Sequence, residues 1–598
     1  MNPIIANYQQ AQQKYQAISQ KYRKRFRRAG TLKLVLVTHL ATLGYVLRED
    51  STSTLLLLAG GCLLGLLLLN MLQTHFQQIH HYNKTRALIN EQELQSIANN
   101  DSSFDGGEEY IDSNHLYSYD LDLFGAHSLF KHINRTVTLF GKERLAKWFN
   151  QHLLNKAAIE KRQEAIQELS SLTEFRHHFR ALGINKEKNT ISKKELTRWI
   201  QLDTIFSPSL QFLPLIALLT NGTLLLLASL GFISYTLQGS VFVLFIILHF
   251  LFVKRINKVQ SDYDKRFKQF ATYAQLIGCI EKESFKSALL CDFQATLKKD
   301  EITASKAIAQ LGKLTNALDQ RNNILVALFL NGLFLWELWQ CMRIENWKKE
   351  YAPYLGKWMQ TLGEMEAVCS LATFAANYPA NTYATIRETP FQFVGEELTH
   401  PLMPATQAVA NPSLLTPSTH FIIITGANMA GKSTYLRVVG VNYLLACIGA
   451  PVCGKAVEIY PTQLVTSLRT SDSLSENESY FFAELKRLKR IIDLLNDKQE
   501  LFIILDEILK GTNSIDKQKG SLALIEQFMQ LDTHGIIATH DLVLGQLKER
   551  FPTAIENYCF EADIVKDQLS FTYQIRKGLA QNMNACFLMK KMGIYTLD

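Results

Sequence analysis

The stretch FIIITGANMAGKST, residues 421–434, sets an amine and a hydroxyl behind two glycines at a spacing that can hold phosphate. Gly426, Gly431, Lys432 and Ser433 fit G-x-x-x-x-G-K-S between an apolar run, Phe421–Thr425, that reads as a buried strand and a segment that reads as a helix. In such a loop, which comprises Gly426, Ala427, Asn428, Met429, Ala430 and Gly431, backbone N–H groups close around phosphate oxygens. The helix N-terminus adds partial positive charge, Lys432 neutralises the β- and γ-phosphates, and Ser433, followed by Thr434, offers a hydroxyl to Mg2+. Further along, LFIILDE reads as a second buried strand, Leu501–Leu505. Its end presents Asp506, suited to hold Mg2+, and Glu507, suited to polarise an attacking water. A third strand, in GIIATHD, ends in His540, which either hydrogen-bonds the γ-phosphate or caps the strand. The chemistry implied is Mg2+-dependent hydrolysis of a nucleoside triphosphate.

These strands alternate with helical patterns from about residue 391 onwards, as an α/β domain requires. At 598 residues the chain exceeds the roughly 100–200 residues of one domain, so several folding units are expected. Upstream, 114–150 places apolar residues at helical spacing opposite Lys142, Glu143, Arg144 and Lys147. Residues 256–350 form charged amphipathic stretches without proline, which predicts long helices. The nine cysteines include no CxxC pair, so neither a zinc cluster nor a disulfide framework is suggested. With 63 basic against 55 acidic residues the net charge is +8, a mild bias that permits an anionic partner, nucleic acid or lipid, without demanding one.

Two pairs of apolar runs have a different character. Thr54–Leu72 carries no charge and is long enough for about 30 Å of hydrocarbon at ~1.5 Å per residue. Leu34–Leu47 precedes it, flanked by KYRKRFRR at 21–28 and by Arg48, Glu49 and Asp50, which reads as one arm of a tight hairpin or, alternatively, as the core of a signal peptide. The second pair is Leu210–Leu237 and Val241–Val253, separated by Gln238, Gly239 and Ser240. Basic residues flank the open ends of both pairs and are nearly absent from the short connections, which puts the N-terminus and every large segment on the cytoplasmic side of the cell (inner) membrane. The run 324–339 is short and contains Asn331 and Glu337, so it reads instead as a buried core helix.

TGANMAGKSTYLR (425–437), SYFFAEL (479–485), DEILKGTNSID (506–516) and ATHD (538–541), in this order, closely resemble the ATPase domain of the MutS family of DNA mismatch-repair proteins. LTHPLM (398–403) and VANPSL (409–414) resemble that family's entry into the ATPase, 128–149 the start of its helical core, and 358–375 the end of its lever helices. The resemblance implies an α/β P-loop (ABC-type) ATPase domain at the C-terminus, joined to a long all-α MutS-like core and lever region; the apolar runs add two transmembrane helical hairpins. The corresponding segments are 1–75, with a hairpin at about 32–47 and 54–72; 76–205, linker and helical core; 206–255, the second hairpin; 256–385, levers; and 386–598, the ATPase.

It further implies a homodimer, with Lys432, Ser433, Thr434, Asp506, Glu507 and His540 acting in cis and Ser479 approaching the partner's γ-phosphate. Several positions depart from the family pattern. Ala427 and Ala430 replace the usual proline and second glycine of the phosphate loop, and Asn477 and Glu478 replace the glycine and arginine before Ser479. Ala408 replaces the aromatic that stacks on adenine, a role left to Tyr573. No counterpart of the mismatch-reading domain is found in 1–110, so contact with DNA is possible but specific mismatch contact is not expected. The second hairpin interrupts the helical core where the family inserts its DNA clamp.

Two readings follow: a membrane-anchored, DNA-binding member of the family, or an ATP-driven switch acting on a membrane or protein partner without DNA. In either, reporter fusions after Glu49 and Gln238 are expected to read as external, and fusions after Asn100 and at the C-terminus as cytoplasmic; an external C-terminus would contradict this topology.

Overall fold

The computed structural model describes every residue except 1–2, 47–51, 99–100, 102, 185–191, 263–268, 300–301, 319–320, 322, 405, 428, 470–479, 511–512, 566–567 and 582–598. The chain opens with two long helices, Pro3–Val46 and Thr52–Ile97, packed side by side. Their lower halves carry polar cross-links, Ser19 Oγ to His80 Nδ1 at 2.9 Å and Arg86 Nη2 donating to Tyr15 at 2.8 Å. Their upper halves present bare leucine: Leu34 is 65% exposed and Leu63 64%.

A second exposed apolar pair, Leu213–Ser229 and Tyr235–Asp262, follows the first part of the helical core. Its reversal differs from the expectation of a turn at Gln238–Ser240. The turn falls at residues 230–234, where Gly231 takes φ 82°, while Gln238, Gly239 and Ser240 lie inside the second helix. An isolated glycine followed by serine reads locally as a breaker, but helix spacing carries through it and the positive-φ glycine marks the true reversal. A reporter meant for this loop therefore belongs after Gly231.

The run 324–339 is also not a buried core helix. Ile324–Phe334 packs against the second pair and leaves Leu325 79% exposed. At Leu335, φ 51°, the chain bends by 78° into Trp336–Asn377. Asn331 and Glu337 make the bend possible: the Asn331 amide donates to Glu337 Oε1 at 2.9 Å and the Glu337 N–H donates back to Asn331 Oδ1 at 3.0 Å. Those two polar residues argued for a soluble core helix in the sequence; they are instead the inner lining of a corner. Among the described residues, four helices are long and apolar enough to cross a membrane, or five if the bent pair is one span.

The expected run of long helices over 256–385 resolves into shorter pieces and a single long one. Ala288–Thr296 and Ala304–Leu318 pack against Trp336–Asn377, which at ~1.5 Å per residue runs about 63 Å, and Phe270–Lys282 packs against Ala304–Leu318. This lever is seated by its own carboxylates. Glu345 accepts from Ile205 N at 2.6 Å and Phe206 N at 3.2 Å; Glu366 accepts from Val137 N at 2.8 Å and Thr138 N at 3.0 Å.

In the C-terminal domain five parallel strands stand in the order Ile555–Phe560, Phe421–Gly426, His534–Thr539, Leu501–Asp506 and Gln463–Ser467, with Arg576–Lys577 antiparallel at one edge. Both faces are covered. Ile422, Ile424, Phe502 and Ile504 join a core continuous with the helical region, and Phe421, Ile423, Ile503 and Leu505 join a second core that includes Leu488 and Ile525 from the outer helices. That double burial is why these strands read as unbroken apolar runs.

At the lever's far end, Asn377 meets the first helical pair. Tyr8 donates to Asn377 Oδ1 at 2.7 Å, the Asn377 amide donates to Glu93 Oε2 at 2.9 Å, and Arg135 and Arg180 pair with Glu93 Oε1 at 2.8 and 2.6 Å. Glu93 is completely buried. Glu93→Ala leaves two guanidiniums without their carboxylate and is expected to cost about 3–5 kcal/mol in denaturant unfolding of the full chain; a loss below about 1 kcal/mol would show that other groups satisfy them.

Candidate nucleotide site

Strand register gathers the predicted residues at one end of the sheet. Thr539 pairs with Thr425 and Ala538 with Asp506, so Gly426, Asp506, Glu507 and His540 leave their strands side by side, at the carboxyl ends where open α/β sheets bind ligands. Gly426 has φ 148°, and a Cβ there would strike the Phe560 carbonyl. Gly431 has φ 110° and caps the helix Lys432–Cys447. Both glycines are thus required by backbone geometry. Ala427, Met429, Gly431, Lys432, Ser433 and Thr434 line one cavity of about 500 Å³, while Ala430 is buried beneath the loop; Asn428 lies outside the described residues.

Lys432 is 4% exposed, and its Nζ donates to the carbonyls of Gly426 at 2.7 Å and Ala427 at 2.9 Å. Burial brings its pKa down to about 8, even with Asp506 and Glu507 nearby to favour the charged form. Ser433 Oγ donates to Asp506 Oδ2 at 2.5 Å. A hydroxyl and a carboxylate in contact suit a hard cation that keeps its remaining positions for phosphate and water, so these two residues fit Mg2+.

Glu507 has a left-handed backbone, φ 53°, locked by its N–H donating to the Ala538 carbonyl at 2.8 Å. The strained turn throws its carboxylate across to His540, with Oε1 and Nε2 2.6 Å apart. That hydrogen bond first, then Lys510 and Lys432, holds the carboxyl down at about 2 against the opposing effect of burial. Such a group stays anionic; it can orient and polarise a water but is a weak acceptor of a full proton. His540 therefore engages Glu507 directly, and its Nδ1 stands 3.4 Å from Lys432 Nζ.

Tyr573, φ 54°, stacks on Phe571 and borders the cavity beside Gly431. Asn411 holds this segment, donating to the Tyr573 carbonyl at 2.9 Å and accepting from Ile575 N at 2.8 Å. Asn411 was not singled out from the sequence, nor were His400, Met403, Gln407 and Val409, which complete the cavity wall. LTHPLM and VANPSL contained the signal, but no spacing rule tied them to the phosphate loop. Burial lowers His400 to about 4, so it presents a neutral imidazole.

Ser479, with Asn477 and Glu478, lies outside the described residues, but both its flanks are anchored. Before it, Asp120 accepts from Thr466 Oγ1 at 2.6 Å and from Arg469 N at 3.1 Å, and Asp122 takes both arms of the Arg469 guanidinium at 2.6 Å. After it, the helix Tyr480–Asn496 carries Glu484, which accepts from Leu509 N at 2.5 Å and Lys510 N at 3.1 Å. The helix that follows Ser479 is thereby bonded to the loop that follows Glu507. None of these three carboxylates was legible as functional, because each acts only through the segments it ties together.

MutS domain V matches residues 422–593 and MutS domain III matches residues 113–372. The MutS protein homolog 4 of Homo sapiens and that of Mus musculus are each 32% identical to the chain over 195 residues, 31% of this chain; the chain spans 20% of the length of these relatives.

Phosphate binding favours the charged form of Lys432 and so raises its pKa from about 8 towards or beyond the ordinary lysine value. Below pH 8 nucleotide affinity should be flat with respect to this group; above it, binding takes up a proton and affinity should fall by up to about tenfold per pH unit. Calorimetry in buffers of different ionisation enthalpy checks this: uptake near pH 9 in wild type, absent in Lys432→Ala, is expected, and no uptake in wild type would contradict it.

Proposed function

Since the chain belongs to the MutS family, whose domain V is an ATPase domain, we propose that it is a membrane-anchored, Mg2+-dependent ATPase that works as a homodimer. The observation that carries the reading is the convergence of Lys432, the Ser433–Asp506 pair and the Glu507–His540 pair at adjoining strand ends. In this reading Lys432 exchanges its loop carbonyls for the β- and γ-phosphates, and the base sits between Tyr573 and the wall around Ala408 and Val409. Ser433 and Asp506 would hold Mg2+, which would supply positive charge to the phosphate oxygens when bound. Glu507 orients the water and His540 turns to the γ-phosphate. In the homodimer, as in the family, Ser479 of one subunit approaches the γ-phosphate bound by the other. Both apolar helix pairs span the inner membrane, with the N-terminus and the ATPase cytoplasmic.

Family membership favours DNA as the partner, held through phosphates without discrimination of mismatches, since residues 1–110 contain no counterpart of the reading domain. A second reading has an observation of its own. The lever begins at the corner beside the second helix pair, where Asn221 donates to the carbonyls of Gly332 and Leu333 and where Arg321 and His249 face Glu337 Oε2 at 3.5 and 3.8 Å. An ATP-driven movement of the lever would then act on that pair, and through it on a membrane or protein partner.

Glu507→Gln is expected to retain ATP binding and to slow turnover by about 10²–10⁴-fold. Hydrolysis by this variant at the wild-type rate would show that Glu507 does not orient the attacking water.

A further inference from the structure

The first helix pair carries a basic cluster that ATP hydrolysis does not use and that membrane orientation uses only through the sign of its charge. From Met1 to Arg48, and again from Ser51 to Asn90, the sequence contains no carboxylate, whereas residues 21–28 alone hold six cations: Lys21, Arg23, Lys24, Arg25, Arg27 and Arg28. All six are exposed, and among the described residues none is paired with an acid. Tyr22, Phe26 and Ala29 take the inward positions at helical spacing, with the Tyr22 ring 6.0 Å from Phe76 on the facing helix. The cations thus fan outward around the hairpin. The facing stretch at this height, QTHFQQIHH from 73 to 81, adds His75, His80 and His81 and again no acid.

The position of this belt selects its partner. Arg28 lies one helical turn before Leu32, where the bare apolar surface begins with Leu32 57% and Leu34 65% exposed. Resting on the proposal that this pair spans a bilayer, we infer that the belt is a binding surface for anionic phospholipid headgroups, which it selects over zwitterionic ones. Long basic side chains at this depth reach headgroup phosphates while their aliphatic stems remain against apolar surface. Neutral headgroups offer the same phosphate beside a compensating cation, so an excess of unpaired cations distinguishes the two. The second pair lacks such a belt before its first helix: the residues from Gln201 to Leu213 include no lysine or arginine. Towards the end of its second helix it carries Lys254, Arg255 and Lys258, half as many cations and with Asp262 close behind, so the inferred selectivity is assigned to the first hairpin.

The full-length protein, detergent-purified as wild type and as a variant with all six cations changed to glutamine, is exchanged into equimolar phosphatidylglycerol and phosphatidylcholine, and the bound lipids are extracted and quantified. The wild type should enrich phosphatidylglycerol by about fivefold, the weight of one fully felt cation. The variant should return towards the input ratio while both proteins remain resistant to alkaline extraction from membranes. Equal enrichment in the two proteins, or none in the wild type, overturns the inference. So does a variant that loses affinity for a short DNA duplex with its lipid ratio unchanged, which would make the belt a nucleic-acid surface. Alkaline extraction of the wild type itself would overturn the membrane reading along with this one.

Discussion

Glu93 is a completely buried carboxylate, and its charge is tolerable inside the protein only because Arg135, Arg180 and Asn377 converge on it. Each partner comes from a different part of the chain: Arg135 from the start of the helical core, Arg180 from its fourth helix, Thr173–Gly183, and Asn377 from the end of the lever. Glu93 itself belongs to the first hairpin. Non-directional apolar packing would let these pieces slide; a buried ion cluster does not, since a small displacement leaves a charge unpaired in a medium that cannot solvate it. The same logic recurs along the lever, where Glu337, Glu345 and Glu366 each face inward and take N–H or cationic partners from the elements they touch. The long helix is located by directional bonds at its start, its middle and its end.

Such a rod makes the nucleotide site and the exposed helix pairs parts of one mechanical object. In the C-terminal domain, the left-handed Glu507 is held by the Ala538 carbonyl, and the phosphate loop is held from within by Lys432 Nζ on the Gly426 and Ala427 carbonyls. Glu484 joins the helix after Ser479 to the loop after Glu507, and Asp120 and Asp122 join the strand before Ser479 to the helical core. These bonds connect the surroundings of the phosphate loop to the core that seats the lever.

The sequence disclosed most where backbone and chemistry coincide. Gly426, Gly431 and Lys432 were legible because their spacing between a strand and a helix matches a phosphate loop whose glycines take positive φ, and Asp506 and Glu507 because they end a buried strand of unmistakable pattern. The parallel sheet was legible for the same reason: strands buried on both faces leave no alternation to confuse. What escaped has a common physical cause. Glu93, Glu484, Asp120 and Glu366 look like ordinary surface carboxylates in a one-dimensional reading, since burial is decided by partners distant in sequence. The 324–339 segment misled because Asn331 and Glu337 satisfy one another across a bend that no local propensity marks. Gln238–Ser240 misled because a glycine and a serine within a helix resemble a turn, whereas the reversal depends on the single positive φ at Gly231.

The central claim is that nucleotide state at Lys432 and Glu507 reaches the lever. Spin labels at the exposed residues Tyr354, on the lever, and Ile515, on the ATPase helix Ser514–Gln530, report the distance between the two most directly. In the Glu507→Gln background, ATP with Mg2+ should shift that distance beyond the width of the nucleotide-free distribution, and removal of the nucleotide should restore it. Superimposable distributions at saturating ATP, with binding verified in the same sample, would contradict the account.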